Sequence, residues 1–282
     1  MITVRKANGK FEPYSQEKLY RSLQRARVSK DHQHQLVKQI ESRLYDGIPT
    51  RSIYSQISQT LQEQEFAEAC SYNLKQGIMK LGPTGYPFEK YVASILEHQG
   101  YSTQTSQMVQ GKCVAHEVDV IATKPHERYM VECKFHNQSG MQSDVKVALY
   151  VQARFQDVTW RWSKENTAPE YHAMLVTNTR CSSDAIAYAE CVNMTILGWG
   201  YPEKGNLQDL IESQLLYPVT TLCSLKNEDA ARLIEQGVIT IHDLLQKQNV
   251  IDELIPHSHT RNVILRELRS FEERFVQSQP EK

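Results

Sequence analysis

The chain has 282 residues, a formal net charge of −1 and 40% hydrophobic residues. This balance excludes a polybasic protein that coats nucleic acid by charge alone. The sequence contains no signal peptide, no apolar run long enough to cross a bilayer, and no CxxC pair among its six cysteines. Together these features indicate a cytoplasmic protein with free thiols and no membrane contact.

The first 82 residues predict a small, mainly helical domain. Two short strands flank an Asn8-Gly9 turn, which is typical of a β-hairpin, and Ser15 caps the helix that follows. Three further amphipathic helices are predicted over residues 32–44, 50–61 and 66–81. The segment carries 13 Lys and Arg against 8 Asp and Glu, which favours an anionic partner.

The opening resembles the ATP-cone, the nucleotide-sensing module of ribonucleotide reductases and their repressor. The matching stretches are residues 4–9 (VRKANG), 12–14 (EPY) and 17–19 (EKL). The resemblance implies an ATP or dATP effector, with Val4, Lys6 and Lys18 among its contacts. Ala7 stands where the family has an arginine, and alanine cannot supply the bidentate phosphate contact of a guanidinium. The alternative is a cone that has lost its nucleotide and serves in docking or dimerisation.

The central part of the chain alternates between helical and extended patterns. A helix is predicted over residues 85–101, with Pro87 in its first turn and Gly100 as its C-terminal stop signal. It precedes two strands, the first ending at Asp119 and the second containing Glu132. The remaining elements are a helix from residue 144, a strand at 173–177, a helix at 182–191 and a strand at 195–199.

Three polar residues of the two hairpin strands form a candidate metal site. Side chains alternate along a strand, so Glu132 and Lys134 point the same way, and a hairpin brings Asp119 to the same patch. Two carboxylates about 4 Å apart repel by about 4 kcal/mol at an effective dielectric of about 20, so a bound Mg²⁺ is a natural completion. Lys134 can orient the attacking water. The alternative is an amphipathic hairpin with a solvated Glu-Lys pair.

The ordered set of elements resembles the PD-(D/E)xK restriction-endonuclease-like superfamily, and within it the Mrr-like domains and the archaeal Holliday-junction resolvases. The resemblance covers residues 82–202. It implies Asp119 and Glu132 as metal ligands, Lys134 as the water-positioning residue and Glu89 as a supporting acid. Many Mrr-like domains have Gln at the position of Glu132. For Gln152, in the helix after the hairpin, the resemblance implies a contact with phosphate or a role in orienting Lys134; the alternative is a helix-surface amide.

The C-terminal segment predicts helices at residues 229–236 and 241–245 around Gly237, and a charged amphipathic helix over residues 259–275. Helix, glycine turn and helix resemble a helix-hairpin-helix unit, whose backbone amides hold a DNA phosphate. Residues 206–282 carry 12 Asp and Glu against 8 Lys and Arg. This acidic balance leaves a plain helical protein contact as the alternative role.

The sequence therefore predicts an α/β protein with three domains. They are an ATP-cone-like domain (1–82), a restriction-endonuclease-like α/β/α core with a mixed sheet (83–205), and a small helical domain (206–282). The predicted function is Mg²⁺-dependent hydrolysis of DNA phosphodiester bonds, under possible control by ATP or dATP. Cutting both strands usually needs two sites, which favours a homodimer.

Two alternatives remain at the level of the sequence. One is a nucleotide-responsive DNA-binding or scaffold protein whose nuclease fold is inactive. The other is a regulator of the ribonucleotide-reductase type, which is based on the cone alone and leaves the central domain unexplained.

Overall fold

The computed structural model describes residues 2–6, 8–26, 28–138, 140–164 and 170–278, and for 274–278 it describes the backbone only. The chain divides into two compact units. The first contains Met1–Gly77, Val219–Leu233 and Leu244–Lys282, and the second contains Ile78–Pro218 and Ile234–Asp243. Residues of the predicted third domain occur in both units, and the predicted domain boundaries stay a prediction. No described helix is long and apolar enough to cross a membrane.

The N-terminal part of the first unit has the predicted hairpin and four helices, and a third strand that was not predicted extends the hairpin to a three-stranded sheet. The strands are β1 (Thr3–Arg5), β2 (Phe11–Pro13) and β3 (Ile48–Pro49), in the order β2-β1-β3. The helices are α1 (Gln16–Arg25), α2 (Lys30–Glu41), α3 (Thr50–Gln64) and α4 (Phe66–Met79). The β1–β2 pair is antiparallel, and Gly9 takes the positive φ of 80° that its turn requires. Ser15 caps α1 by accepting from the backbone amide of Lys18.

The apolar faces of these helices meet in one core, and each fully buried Leu or Ile contributes roughly 1.5–3 kcal/mol to stability. Its largest fully buried members include Leu23, Leu36, Ile40, Ile57 and Leu61. The helical periodicity therefore predicted which side chains are inside, because a 3.6-residue repeat assigns them to one face.

The second unit is built on a five-stranded mixed sheet in the order β10-β8-β6-β5-β4. Its elements are α5 (Tyr86–His98), β4 (Ser102–Gln110), β5 (Ala115–Lys124), β6 (Glu127–Lys134), β7 (Gln142–Ser143), α6 (Val145–Trp162), β8 (Glu170–Thr177), β9 (Arg180–Cys181), α7 (Ser183–Cys191), β10 (Thr195–Leu197) and α8 (Leu207–Gln214). Strands β4, β5 and β6 are antiparallel, whereas β6, β8 and β10 are parallel. The predicted mixed sheet is confirmed.

The sequence pattern missed β4, which pairs with β5 along nearly its whole length. Its sequence, STQTSQMVQ, shows no apolar alternation, and its residues are exposed or half-buried. An edge strand has one neighbour and little core to cover, so its sequence needs no hydrophobic repeat. Only pairing with β5 defines it.

The C-terminal residues form a short 3₁₀ turn (Val219–Thr221) and helices α9 (Asn227–Glu235), α10 (Ile241–Gln246), α11 (Asn249–Leu254) and α12 (Ser258–Ser278). Within the first unit, the 3₁₀ turn packs against α4. The Thr220 hydroxyl donates to the Gly77 carbonyl at 2.7 Å. A Cβ at Gly77 would lie 2.4 Å from the Thr221 methyl, so glycine is required by this close approach.

Candidate active site

A fork in the central sheet positions the predicted site residues. The β5–β6 register runs from Lys124 opposite Glu127 to Val120 opposite Val131. Beyond that point β5 continues to pair with β4, while β6 continues to pair with β8 as far as Lys134. The two strands therefore separate just before Asp119 and Glu132. Backbone groups that lose a ladder partner inside a protein need another one.

Side chains of the site supply those missing partners. The Asp119 Oδ2 atom accepts from the backbone amide of Cys133 at 2.7 Å. Arg154 of α6 donates from Nη1 to Glu132 Oε2 and from Nη2 to the Glu117 carbonyl. One oxygen of each carboxylate is thus held by a protein donor, and the contacts of the described residues leave Asp119 Oδ1 and Glu132 Oε1 without such a donor.

Helix α5 brings Glu89 to the same place. The ring of Phe88 lies 5.6 Å from that of Phe135, which directly follows Lys134. This contact fixes the first turn of α5 against the end of β6. The Glu89 carboxylate lies 3.5 Å from the Ser106 hydroxyl.

Ser106 is a residue that the sequence pattern did not reveal. In the β4–β5 ladder it falls between the pairs Thr105–Val120 and Gln107–Val118, which places it opposite Asp119. Its φ is 52°, a left-handed conformation that is unfavourable for a residue with a Cβ. Strained residues of this kind concentrate at functional sites. No local signal predicts it, because a serine in a polar edge strand is unremarkable.

The pKa values of the three acidic side chains are raised, first by burial and then by neighbouring carboxylates. Burial and then the charge of Asp119 raise the pKa of Glu132 to about 7, against the opposing effects of Arg154 and Lys134. Burial and the charges of Asp119 and Glu117 raise the pKa of Glu89 to about 7. Burial also raises the pKa of Asp119, although its hydrogen bond from Cys133 acts in the opposite direction. Carboxyl groups with pKa values moved toward neutrality are typical of catalytic and metal sites.

The structure therefore brings Asp119, Glu132, Lys134 and Glu89 within electrostatic reach of one another. Lys134 lies at the exposed end of β6, and its charge opposes the rise in the pKa values of Asp119 and Glu132. The catalytic roles of the four residues stay a prediction.

Gln152 lies on α6 and is half-buried, and its Oε1 atom is buried without a hydrogen-bond partner among the described residues. The described part of the chain contains no hydrogen bond between Gln152 and Lys134. The predicted role in orienting Lys134 therefore stays a prediction.

The residues present fit a Mg²⁺ ion. Within the described ranges, no group of three or more His, Cys, Asp or Glu is arranged to hold a metal. Mg²⁺ does not require such a group, because it keeps several waters and binds through one or two carboxylates. Asp119 and Glu132 would be that pair, since each has one oxygen without a hydrogen-bond donor among the described residues.

Arg154 is the second site residue that the sequence interpretation missed, although a signal existed. The inward stripe of α6 reads Ala148, Val151, Arg154, Val158 and Trp162. An arginine at an apolar position of a helical repeat is uncommon, because a buried charge needs a partner.

In the N-terminal domain the structure brings together Lys6 and Lys18, which both contact Glu12. The Lys18 Nζ atom is 3.1 Å and the Lys6 Nζ atom 3.4 Å from Glu12 Oε2. These contacts with Lys18 and Lys6 lower the pKa of Glu12. Val4 is buried in the core of the same domain. Ala7, where the family arginine is expected, lies outside the described residues.

The turn between α9 and α10 has the positive φ of 74° expected at Gly237. The backbone amides of Ile239 and Thr240 donate to Asp243 Oδ2 at 3.1 and 2.8 Å, and the amide of Asp243 donates to the Thr240 hydroxyl. This is a capping box that starts α10. Two backbone amides of the turn are therefore already hydrogen-bonded within the protein. This favours a plain helical protein contact over phosphate binding at this turn.

Family models agree with this arrangement of folds. The ATP cone domain matches residues 2–74, the restriction endonuclease domain of the Mrr type matches 82–198, and a domain described as AF1548-like, C-terminal, matches 217–270. The chain thus combines an ATP-cone domain with a restriction-endonuclease-like domain, as the sequence predicted.

Two further matches agree with the family models. An uncharacterized protein of Archaeoglobus fulgidus is 40% identical over 154 residues, which are 55% of this chain and 83% of that protein. A crystal structure titled as a protein of unknown function, AF1548, is 34% identical with a TM-score of 0.57, over 67% of this chain and 100% of that one. The chain belongs to the same family as the uncharacterized protein of Archaeoglobus fulgidus.

Proposed function

We propose that this protein is a Mg²⁺-dependent deoxyribonuclease that hydrolyses phosphodiester bonds under the control of ATP or dATP. The observation that carries the proposal is the fork between β5 and β6. There, Asp119 and Glu132 each have one oxygen that accepts no hydrogen bond from the described part of the chain, near the charge of Lys134.

Asp119 and Glu132 are the residues that would hold the metal. A bound Mg²⁺ would supply positive charge that polarises the scissile phosphate and lowers the pKa of a water molecule. Lys134 then acts from the exposed end of β6, where it orients the water and offsets the negative charge that develops on the phosphate. Glu89 supports the acid pair, and Gln152 contributes its side-chain amide from α6.

A plasmid-nicking assay tests this proposal. We expect the full chain to nick supercoiled DNA with Mg²⁺ but not with EDTA, and Lys134→Ala to reduce the rate by about 10²-fold or more. Lys112→Ala, which removes an exposed lysine from the β4–β5 turn, is the matched control and should nick like wild type. Equal nicking by Lys134→Ala would contradict the proposed site.

Control by nucleotide is proposed from the cone. Lys6 and Lys18 meet at one point and can neutralise a polyphosphate. Calorimetry and thermal shift with ATP and dATP test it, since a ligand at 100 times its Kd stabilises the folded state by about 2.7 kcal/mol. If neither nucleotide produces heat or a thermal shift, the alternative is favoured, in which the cone binds no nucleotide and serves in docking or dimerisation.

One observation favours the alternative of a DNA-binding or scaffold protein with an inactive nuclease fold. Glu132 already forms an ion pair with Arg154, which a metal at this carboxylate must accommodate. DNA binding without Mg²⁺-dependent nicking would support that alternative.

A homodimer is proposed for cutting both strands. Light scattering of the free chain and of its DNA complex measures the oligomeric state.

A further inference from the structure

Arg154 is placed where a charged side chain is unfavourable. It lies on the inward stripe of α6 with 8% of its surface exposed, between the fully buried Val151 and Val158. Its Nε atom is also buried and has no hydrogen-bond partner within the described residues. An apolar side chain of similar volume would fill such a position at least as well, so packing alone does not explain a guanidinium here.

The contacts of Arg154 join the two sides of the fork. Its Nη1 atom donates to Glu132 of β6, and its Nη2 atom donates to the Glu117 carbonyl of β5. Its guanidinium also lies over the Tyr150 ring, 5.1 Å from the ring centroid. The carbonyl and the ring are contacts of the guanidinium that do not involve Glu132, so the position of Arg154 does not depend on the carboxylate alone.

We propose that Arg154 is a positioning residue for the metal-binding carboxylate of Glu132. It holds Oε2 and thereby leaves Oε1 as the oxygen that pairs with Asp119 in holding a divalent cation. Both of its terminal nitrogens are engaged by the protein, so Arg154 acts through Glu132 and not on the substrate. The inference deepens the proposed function and rests on the metal site assigned to Asp119 and Glu132.

The geometry requires arginine specifically. A guanidinium presents several donors in a rigid plane and reaches both the carboxylate and the carbonyl, whereas a lysine ammonium is a point charge that satisfies them less well. Replacement by lysine therefore keeps the charge and weakens the positioning. Replacement by methionine removes both.

The test measures binding of Mn²⁺ alone to the full chain by calorimetry. Groups that orient a metal ligand are typically worth about 10- to 100-fold in metal affinity. We expect Arg154→Met to weaken Mn²⁺ binding by about that factor and Arg154→Lys to fall between it and wild type. Arg161→Met is the matched control, because it removes an exposed positive charge two turns further along α6, and it should bind like wild type.

Unchanged or tighter Mn²⁺ binding by Arg154→Met would overturn the inference, since tighter binding would mean that the arginine merely competes with the metal. If Arg154→Met fails to fold, judged by near-ultraviolet circular dichroism, Arg154→Lys carries the test. Wild-type Mn²⁺ affinity in a folded Arg154→Lys would then overturn the inference.

Asp119→Asn separates this inference from the proposed function. If Asp119→Asn loses Mn²⁺ binding while Arg154→Met retains it, the metal site stands and the role of Arg154 fails. If the variants follow the expected order of Mn²⁺ affinity but the wild-type chain cuts no DNA, the nuclease proposal fails and the role of Arg154 stands.

Discussion

Two clusters of charged side chains in this protein differ in the charges that they bring together and in the direction of their pKa shifts. At the fork, the acids Glu89, Asp119 and Glu132 share a partly or largely buried patch, and their pKa values are raised. In the cone, Lys6 and Lys18 surround Glu12 at the surface, and the pKa of Glu12 is lowered. The first cluster forces like charges together, and the second brings opposite charges together in water.

The difference shows how strongly each cluster indicates a function. Exposed ion pairs form at little cost and contribute little to stability, so the cone lysines alone are weak evidence for a ligand. Buried like charges cost stability, and proteins keep such arrangements mainly where a ligand or a reaction uses them. The fork is therefore the stronger of the two candidate sites.

The largest expected effect is that of Asp119→Asn. It should reduce Mg²⁺-dependent nicking by about 10²-fold or more, because metal charge stabilisation is worth several kcal/mol. It should also raise the melting temperature at pH 8, because it removes a charge that repels Glu132 and Glu89. Glu12→Gln should instead lower the melting temperature slightly, because it leaves Lys6 and Lys18 facing each other. A lower melting temperature for a folded Asp119→Asn would contradict the idea that repulsion among the carboxylates of the fork lowers stability.

A smaller effect is expected for nucleotide binding in the cone. Lys18→Ala should raise the Kd for ATP by about 10-fold or more, the loss expected for one charged hydrogen bond. Calorimetry measures it, with Lys10→Ala as the control, because Lys10 is an exposed lysine of the hairpin that also carries Lys6. Equal affinity in the Lys18→Ala and Lys10→Ala proteins would show that the lysines around Glu12 are not a phosphate site.

The pH dependence of stability should separate the clusters further. Glu132 has a pKa of about 7 in the folded chain against an ordinary value of 4.5, so the folded state binds more protons between these values. The free energy of unfolding should therefore fall as pH rises from about 4.5 to 7, by up to about 1.4 kcal/mol per pH unit for this group.

Urea unfolding in EDTA across this range measures the slope. Glu132→Gln should reduce the slope, while Glu89, whose pKa is also raised to about 7, keeps part of it. Glu12→Gln should leave it unchanged, because a lowered pKa acts only below pH 4.5, where the stability provided by the ionised Glu12 is lost as it becomes protonated. A slope that is unchanged in Glu132→Gln would assign the whole titration to other groups.

The smallest effect is expected at Ser106. Ser106→Gly should raise stability by less than about 1 kcal/mol, because glycine tolerates a φ of 52° but gains entropy when unfolded. It should also raise the pKa of Glu89, since the Ser106 hydroxyl lowers it. Ser102→Gly, in the same strand but outside the positive-φ region, should have the opposite sign of stability change. Thermal melts and NMR titration of Glu89 measure the two effects.

The sequence predicted the mixed sheet, most of its elements and the closeness of four site residues. Residues two apart in a strand share a face, so Glu132 and Lys134 could be paired without coordinates. The hairpin between β5 and β6 then placed Asp119 near them. The edge strand β4 was missed, because its place in the sheet is set by its partner β5 and not by a hydrophobic repeat.

The sequence by itself determined what depends on short-range periodicity, namely the helices, the buried faces and the Glu-x-Lys pair of β6. Only the tertiary structure decided that β5 and β6 separate at Asp119, that Ser106 takes a left-handed conformation opposite it, and that Arg154 bridges the two strands. Arg154 is 22 residues from Glu132 and 37 from Glu117. Contacts over such separations depend on how the helix packs on the sheet, which no local pattern encodes.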